Sequence, residues 1–173
     1  MWLLINSTLK NDQFLLRAGK SLCICQKFET TCKDILMQLS SAKFVHDKRG
    51  SLLSNEYIKH FNDLIKRQLG DSIGDYEKDF VQYIDSSELE ILTKGKNSRN
   101  YICHDLLKDL IAASFSEKPK LICDNKVFKE HLRNITLADY MVSKWSYEFQ
   151  EQSSGDFYDK EKYVKNIINW VMA

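Results

Sequence analysis

Apolar residues recur every three or four positions through most of this chain, which is the spacing of one face of an α-helix. The longest such pattern predicts a first helix that is capped by Asp12 and ends before Asp47. Its apolar stripe comprises Leu15, Ala18, Leu22, Cys25, Phe28, Cys32, Ile35, Leu39 and Ala42. A helix of about eight turns has to pack along most of its length, so we expect it to be the spine of a helical bundle.

Shorter helical patterns follow the first helix and are separated by turn residues. A packed lead-in over residues 1–10 precedes the first helix, and a second helix opened by Ser54 and closed by Gly70 and Gly74 follows it. Next come a third helix over Tyr76 to Ile84, a restart over Ser86 to Thr93, a break or kink at Lys94 to Asn97, and a helix capped by Asn97 or Ser98 that reaches about Ser114. The last elements are a linker over Ser116 to Asp124, a helix from about Asn125 to Gln152, a loop over Gln150 to Asp156, and a final helix that begins at Tyr158 or Asp159.

Composition agrees with this helical pattern. One proline and six glycines in 173 residues favour long helices over strands and turns. Hydrophobic residues make up 43% and charged residues 28%, values typical of a globular protein of one domain. We therefore predict one domain over residues 1–173 with an all-α fold, an antiparallel bundle of four to six helices with one long N-terminal helix. A net charge of +1 provides no overall basic field, so any RNA contact has to be local.

Other common kinds of site and location find little support in the sequence. The five cysteines form no CxxC pair and are most simply small buried apolar residues in a reducing cytoplasm. No HExxH, HxxxH or glycine-rich nucleotide motif occurs, so we predict neither a metal nor a cofactor. His46, His60 and His131 lie among charged residues and are expected at the surface. The first five residues are too short for a signal peptide, and no run approaches about 18 apolar residues, so we predict a cytoplasmic protein without a membrane segment.

The stretch richest in candidate chemistry contains Arg99, Asn100 and His104. In an α-helix Asn100 and His104 share a face, whereas Arg99 and His104 lie about 140° apart around the axis. With a cap at Asn97 or Ser98, Arg99 falls in the first turn of a helix, where unpaired N–H groups favour an anion. Lys94 and Lys96 stand just upstream and extend the positive charge. Lys94, Lys96 and Arg99 are therefore the predicted phosphate-binding residues.

The string Arg99-Asn100-x-x-x-His104, late in a chain of helices, resembles the signature of the HEPN superfamily. That signature is an arginine, a polar residue directly after it, and a histidine four to six residues after the arginine. The resemblance implies a metal-independent endoribonuclease that cleaves RNA through attack of the ribose 2′-hydroxyl. Arg99, Asn100 and His104 would be catalytic, with His104 as general acid or base, Arg99 holding the phosphate, and Asn100 orienting the imidazole or contacting the backbone.

The resemblance also implies partners. HEPN clefts commonly form between two copies of the domain. We therefore expect a homodimer that joins through the helix carrying Arg99 and His104, which we call the motif helix, with RNA as substrate. A toxin or antiphage effector with an antitoxin or defence-system partner protein is the expected setting. Some HEPN toxins carry a tyrosine two residues after the histidine that a partner enzyme modifies. This chain has Leu106 there, so the resemblance does not imply that mode of regulation.

Two other interpretations remain open at this point. The motif residues can be a surface arginine, a capping asparagine and a half-buried histidine without catalytic roles. The chain can also be a catalytically inactive RNA-binding, dimerising or protein-interaction module. Such a module would present Trp145, Phe149, Trp170 or Val171 to another protein.

Overall fold

The structure is a computed structural model that describes residues 9–48, 54–66, 69–79, 84–106, 108, 125–151 and 157–173. Within these ranges the chain forms α-helices and no strand. The helices are α1 (Leu9–Lys48), α2 (Asn55–Ile65), α3 (Leu69–Asp79), α4 (Ser86–Asn100), α5 (Asn125–Glu151) and α6 (Lys160–Met172), and a π-helical turn over Tyr101–Asp105 continues α4. The prediction of an all-α helical bundle with a long N-terminal helix is confirmed.

Helices α4 and α5 pack side by side and run antiparallel. Three contacts show the direction: Glu88 with Trp145, Gly95 with Ala138, and Ser98 with His131. Residue numbers increase along α4 while those of the partners on α5 decrease. Gly95 is the closest of these approaches, since a Cβ atom built there would lie 2.3 Å from the Ala138 Cβ. The predicted break at Lys94 to Asn97 is therefore wrong. The glycine permits close helix packing inside a continuous helix rather than ending one.

Helix α1 runs antiparallel to α6 and contributes the largest share of the core. Lys20 donates to the Trp170 carbonyl at 2.8 Å. Two turns further along α1, the Lys27 ammonium lies 3.3 Å from the Tyr163 hydroxyl. The middle of the predicted α1 stripe is buried: Ala18, Cys25, Phe28, Cys32 and Ile35. Leu15 and Ala42, at the ends of that stripe, are exposed. The stripe thus packs along its centre, where α4, α5 and α6 all reach it.

A polar cluster inside the bundle joins α1, α5 and α6. Asp139 is 1% exposed and accepts from the Lys27 ammonium at 2.7 Å and from the Tyr163 hydroxyl at 2.5 Å. Lys27 also donates to Ser143 at 2.6 Å. Burial and the bond to Asp139 raise the pKa of Tyr163. Nothing in the sequence pattern had indicated this cluster, because each residue taken alone resembles a surface residue.

The second helix ends earlier than predicted, and the third begins earlier. The Ser54 hydroxyl caps α2 by accepting from the Tyr57 N–H at 3.2 Å, as the sequence indicated. Helix α2 then ends at Ile65, and α3 occupies Leu69–Asp79 instead of starting at Tyr76. Gly70 and Gly74, expected to close α2, lie within α3. The low helix propensity of glycine is a weak signal that packing can override. Here the buried side chains of Leu69, Ile73 and Tyr76 pack α3 onto the core.

Other boundaries and surface assignments also change. The restart at Ser86 is the true start of α4, where Asp85 and Glu88 form a capping box. Helix α1 begins at Leu9, before its predicted cap. Val171 is buried in the core, whereas Phe149 and Trp170 are 47% and 48% exposed. Among the residues that the structure describes, none of the helices has both the length and the apolar character to cross a membrane.

Several predictions lie outside the described residues. These are the first eight residues of the lead-in predicted over 1–10, the end of the motif helix near Ser114, the linker from Ser116 to Asp124 with Cys123, and most of the loop at 150–156. Of the other cysteines, Cys25 and Cys32 are buried as predicted, but Cys23 is exposed and Cys103 is half-buried.

Candidate functional site

The site is centred on the π-helical turn Tyr101–Asp105, which directly follows α4. The Leu106 N–H donates to the Tyr101 carbonyl, five residues back, where an α-helix would pair residues four apart. The extra residue in this turn brings positions i and i+5 towards the same side of the helix. Arg99 and His104 are five residues apart and span this turn, so the regular helical angle of about 140° between them no longer applies.

Arg99, Asn100 and His104, which we call the motif site, converge at this turn. One guanidinium nitrogen of Arg99, Nη1, lies 3.2 Å from the Asn100 Oδ1 and 3.3 Å from the His104 Nε2. A guanidinium has only donors, so both atoms accept from it. Asn100 and His104 are exposed and Arg99 is half-buried. The motif site therefore places an imidazole nitrogen, an amide and a fixed cation together at the protein surface.

The surroundings of Arg99 differ from the predicted helix N-terminus. Helix α4 runs without interruption from Ser86, and the Tyr101 N–H bonds back to the Asn97 and Ser98 carbonyls. The N-terminus of α4 is about 20 Å away along the axis, where Asp85 accepts from the Glu88 N–H. The prediction that Arg99 lies in a first helical turn is therefore wrong. The guanidinium of Arg99 can therefore attract an anion, but the N–H groups of a helix N-terminus do not add to it.

The two predicted lysines lie on different sides of α4. Lys96 precedes Arg99 by three residues and Asn100 by four, so it shares their side of the helix. Lys94 lies about 140° around the axis from Arg99 and pairs instead with Glu90 at 2.6 Å. Of the three predicted phosphate-binding residues, the structure brings Lys96 and Arg99 to one side and Lys94 to another.

Two charged residues of α1, absent from the predicted site, complete the surroundings of Arg99. The Glu29 carboxylate accepts from Arg99 Nη2 through one oxygen and from the Lys33 ammonium through the other, each at 2.8 Å. Partial burial by itself raises the pKa of Glu29, but the hydrogen bond from Lys33 and the charge of Arg99 outweigh it and hold that pKa below its usual value. Glu29 is therefore a carboxylate anion held between two cations.

An open groove of about 470 Å³ lies beside these side chains. It is lined by Gln26, Glu29, Thr30, Lys33 and Arg99, and we call it the α1 groove. Every lining side chain carries a polar or charged group, so the groove offers hydrogen-bonding and charged partners to a ligand. Arg99 belongs both to the α1 groove and to the motif site, so the two are continuous.

The opposite side of the motif helix carries an aromatic pair. The Tyr101 and His131 rings stack with centroids 4.0 Å apart, and the His131 Nδ1 lies 3.1 Å from the buried Ser98 hydroxyl. Partial burial lowers the pKa of His131, against a smaller opposing effect of Glu130. His131, which was expected at the surface, is half-buried because α5 brings it against α4. His46, in contrast, is exposed beside Asp47.

Beneath the motif site, α1 places Cys25 against Cys103 of the π turn. Burial raises the pKa of the Cys25 thiol, and a hydrogen bond with Cys103 raises it further. Both thiols are free. A thiol in these surroundings is a packing residue under the site rather than a nucleophile.

The sequence offered little sign of the α1 contribution. Glu29 and Lys33 are four residues apart, a spacing that by itself indicates an ordinary surface ion pair on a helix. Only the packing of α1 against the π turn places Arg99 in contact with that pair.

In the described part of the chain, no group of three or more histidine, cysteine, aspartate or glutamate side chains has an arrangement that could hold a metal ion. The functional content of this region thus consists of Arg99, Lys33 and Lys96 as cations, Glu29 as an anion, and His104 with Asn100 as polar groups. Comparisons of the chain with protein-family models, curated proteins and solved structures find no match. The geometry of these side chains is therefore what identifies them as a candidate site.

Proposed function

We propose that this protein is an endoribonuclease of the HEPN type that cleaves RNA without a metal ion. The observation that carries the proposal is the convergence of Arg99, Asn100 and His104, with 3.3 Å between the Arg99 Nη1 and the His104 Nε2. The signature by itself did not require this proximity, since a regular α-helix would have separated the two side chains. π-Helical turns are rare and are found frequently at functional sites.

The proposed reaction begins with the ribose 2′-hydroxyl, which loses its proton and attacks the adjacent phosphorus. The bond from phosphorus to the 5′ oxygen breaks, and that oxygen leaves with a proton. The products are a 2′,3′-cyclic phosphate and a 5′-hydroxyl. His104 moves one of these protons, because its exposed imidazole can reach a bound substrate. Arg99 stabilises the negative charge that grows on the phosphate, and Asn100 fixes the guanidinium through their 3.2 Å contact.

One motif site supplies only one histidine, whereas the reaction needs one proton removed and another delivered. A homodimer that joins two motif helices would bring a second His104 to the same phosphate. The exposed positions of Asn100 and His104 are compatible with such an arrangement. We therefore include the homodimer in the proposal, with an antitoxin or defence-system protein as the partner that restrains the nuclease.

The test is an incubation of the protein with total RNA in EDTA, followed by analysis of the product ends. Wild-type protein should release fragments that carry 2′,3′-cyclic phosphate. His104→Ala and Arg99→Ala should lose at least about a hundredfold in rate, the usual contribution of a proton-transfer group or an oxyanion contact. Full activity of the double variant would refute the proposal.

A matched control uses His46→Ala, which removes an exposed histidine from the far end of α1. This variant should cleave at the wild-type rate, which separates loss of His104 from loss of any histidine. Circular dichroism and sedimentation should show unchanged helicity and mass for all variants, so that lost cleavage cannot be explained by unfolding.

The alternative is a non-catalytic interaction module, favoured by the exposure of Phe149 and Trp170 at 47% and 48%. Large exposed aromatic side chains are enriched at protein interfaces. This alternative predicts no RNA cleavage at any protein concentration and a stable complex with another protein. Phe149→Ser and Trp170→Ser would disrupt that complex without changing the helical content.

A further inference from the structure

We propose that Lys33 and Arg99 form a phosphate-binding site for single-stranded RNA, in which the Glu29 carboxylate is a built-in anion that an RNA phosphodiester displaces. This inference rests on the proposed function, and it adds a second binding element and a means of restraint. Neither Glu29 nor Lys33 belongs to the HEPN signature that suggested the nuclease.

The geometry of Glu29 resembles that of a bound phosphodiester. Its two oxygens accept separately, one from Lys33 and one from Arg99, each at 2.8 Å. A phosphodiester likewise presents two anionic oxygens on one atom, and arginine and lysine are the cations that bind it in proteins. The two cations come from different helices, so the position between them is fixed by the packing of α1 against the π turn.

The site is accessible to a polymer. Lys33 and Arg99 side chains are each 25% exposed, and Glu29 is 21% exposed. The α1 groove opens beside them and continues with the polar side chains of Gln26 and Thr30. A strand that enters this groove can place one phosphate at Lys33 and Arg99 and the next nucleotide near His104, because Arg99 contacts both places.

The arrangement also restrains the motif site while no RNA is bound. Glu29 accepts from Nη2 of Arg99 and neutralises its charge, while Nη1 of the same guanidinium donates to the His104 Nε2. RNA that replaces Glu29 draws Arg99 towards the phosphate and releases the imidazole nitrogen for proton transfer. The exchange leaves neither cation unpaired, and the displaced Glu29 carboxylate, which is 21% exposed, can turn towards water.

The experiment measures binding separately from cleavage. The probe is a fluorescein-labelled 2′-O-methyl oligouridylate, which has the RNA backbone but lacks the nucleophilic hydroxyl. Fluorescence anisotropy then gives its Kd for the full chain and for the variants Glu29→Gln and Lys33→Gln. Lys165→Gln, which removes an exposed lysine of α6, is the matched control.

Glu29→Gln should tighten the Kd about threefold to tenfold, because it removes an anion that competes with the phosphate. Lys33→Gln should weaken binding about threefold and reduce the slope of log Kd against log salt by about 0.7, the contribution of one phosphate contact on a single strand. Inorganic phosphate should compete with the probe more effectively in the Glu29→Gln variant. Lys165→Gln should bind as the wild type does.

Unchanged or weaker binding by Glu29→Gln would overturn the role of the built-in anion, and an unchanged salt slope for Lys33→Gln would overturn the phosphate site. Absence of binding by every variant would also overturn it. The two proposals fail separately. Cleavage of unmodified RNA with unaltered affinities would refute the site and leave the nuclease, whereas altered affinities without cleavage would refute the nuclease and leave the site. Should Glu29→Gln not fold, the salt slope of Lys33→Gln still decides.

Discussion

Substitution of Gly95 by alanine should destabilise the protein, although alanine is the better helix former. Gly95 lies inside α4, and a Cβ atom there would lie 2.3 Å from the Ala138 Cβ and 3.2 Å from the Phe28 Cζ. Carbon atoms pack best at about 3.5–4.0 Å, so α4 and α5 would have to separate by more than an ångström. The Ala138 Cβ cannot rotate away, because it is attached directly to the backbone.

The expected magnitude follows from two opposing effects. Alanine gains about 1 kcal/mol over glycine in a helix interior. Overpacking of a tight core contact costs about 1–3 kcal/mol, which gives a net loss of about 1 kcal/mol for Gly95→Ala. Gly19 of α1 is the control, since no atom outside the neighbouring backbone of its own helix lies within 4 Å of its built Cβ. Gly19→Ala should therefore stabilise the protein by about 1 kcal/mol.

Urea unfolding followed by far-ultraviolet circular dichroism measures both free energies of unfolding. The variant Gly95→Ala/Ala138→Gly completes a double-mutant cycle, because it restores the room that the first substitution removes. The cycle should show a favourable coupling of about 1 kcal/mol. Stabilisation by Gly95→Ala equal to that of Gly19→Ala would show that α4 and α5 are not in close contact, and the account of Gly95 would be wrong.

Three further predictions concern Tyr163 and the cysteines. Tyr163→Phe removes the hydrogen bond to the buried Asp139 carboxylate and should cost about 1.5–3 kcal/mol in urea unfolding. Because the pKa of Tyr163 is raised in the fold, wild-type stability should fall as the pH rises above about 10, the ordinary tyrosine value, and should fall less steeply in Tyr163→Phe. In native protein, iodoacetamide should label the exposed Cys23 and spare Cys25 and Cys32, since burial raises the pKa of the Cys32 thiol to about 12. Peptide mass spectrometry that finds Cys25 or Cys32 alkylated before unfolding would contradict the described burial.

The helical bundle could be predicted from the sequence because its main signal is local. A stripe at helical spacing such as Ala18, Cys25, Phe28 and Cys32 requires a buried face whatever its partner is. Caps are local in the same way, and Ser54 and the start of α4 at Ser86 agree with their signals. Boundaries at glycine were predicted less well. Gly70, Gly74 and Gly95 lie inside helices, because the sequence alone does not show whether a glycine ends a helix or permits a close contact.

The candidate site divides in the same way. The closeness of Arg99, Asn100 and His104 along one helix followed from the sequence, since covalent spacing limits how far apart they can be. The fold was needed to show that α4 is continuous, which turns Lys94 away from Arg99, and that a π turn brings Arg99 to His104. It was also needed to show that Glu29, itself paired with Lys33, binds the other side of Arg99. The contact between Arg99 and Glu29 joins positions 70 residues apart, so it depends on how α1 packs against the π turn, which no local pattern specifies.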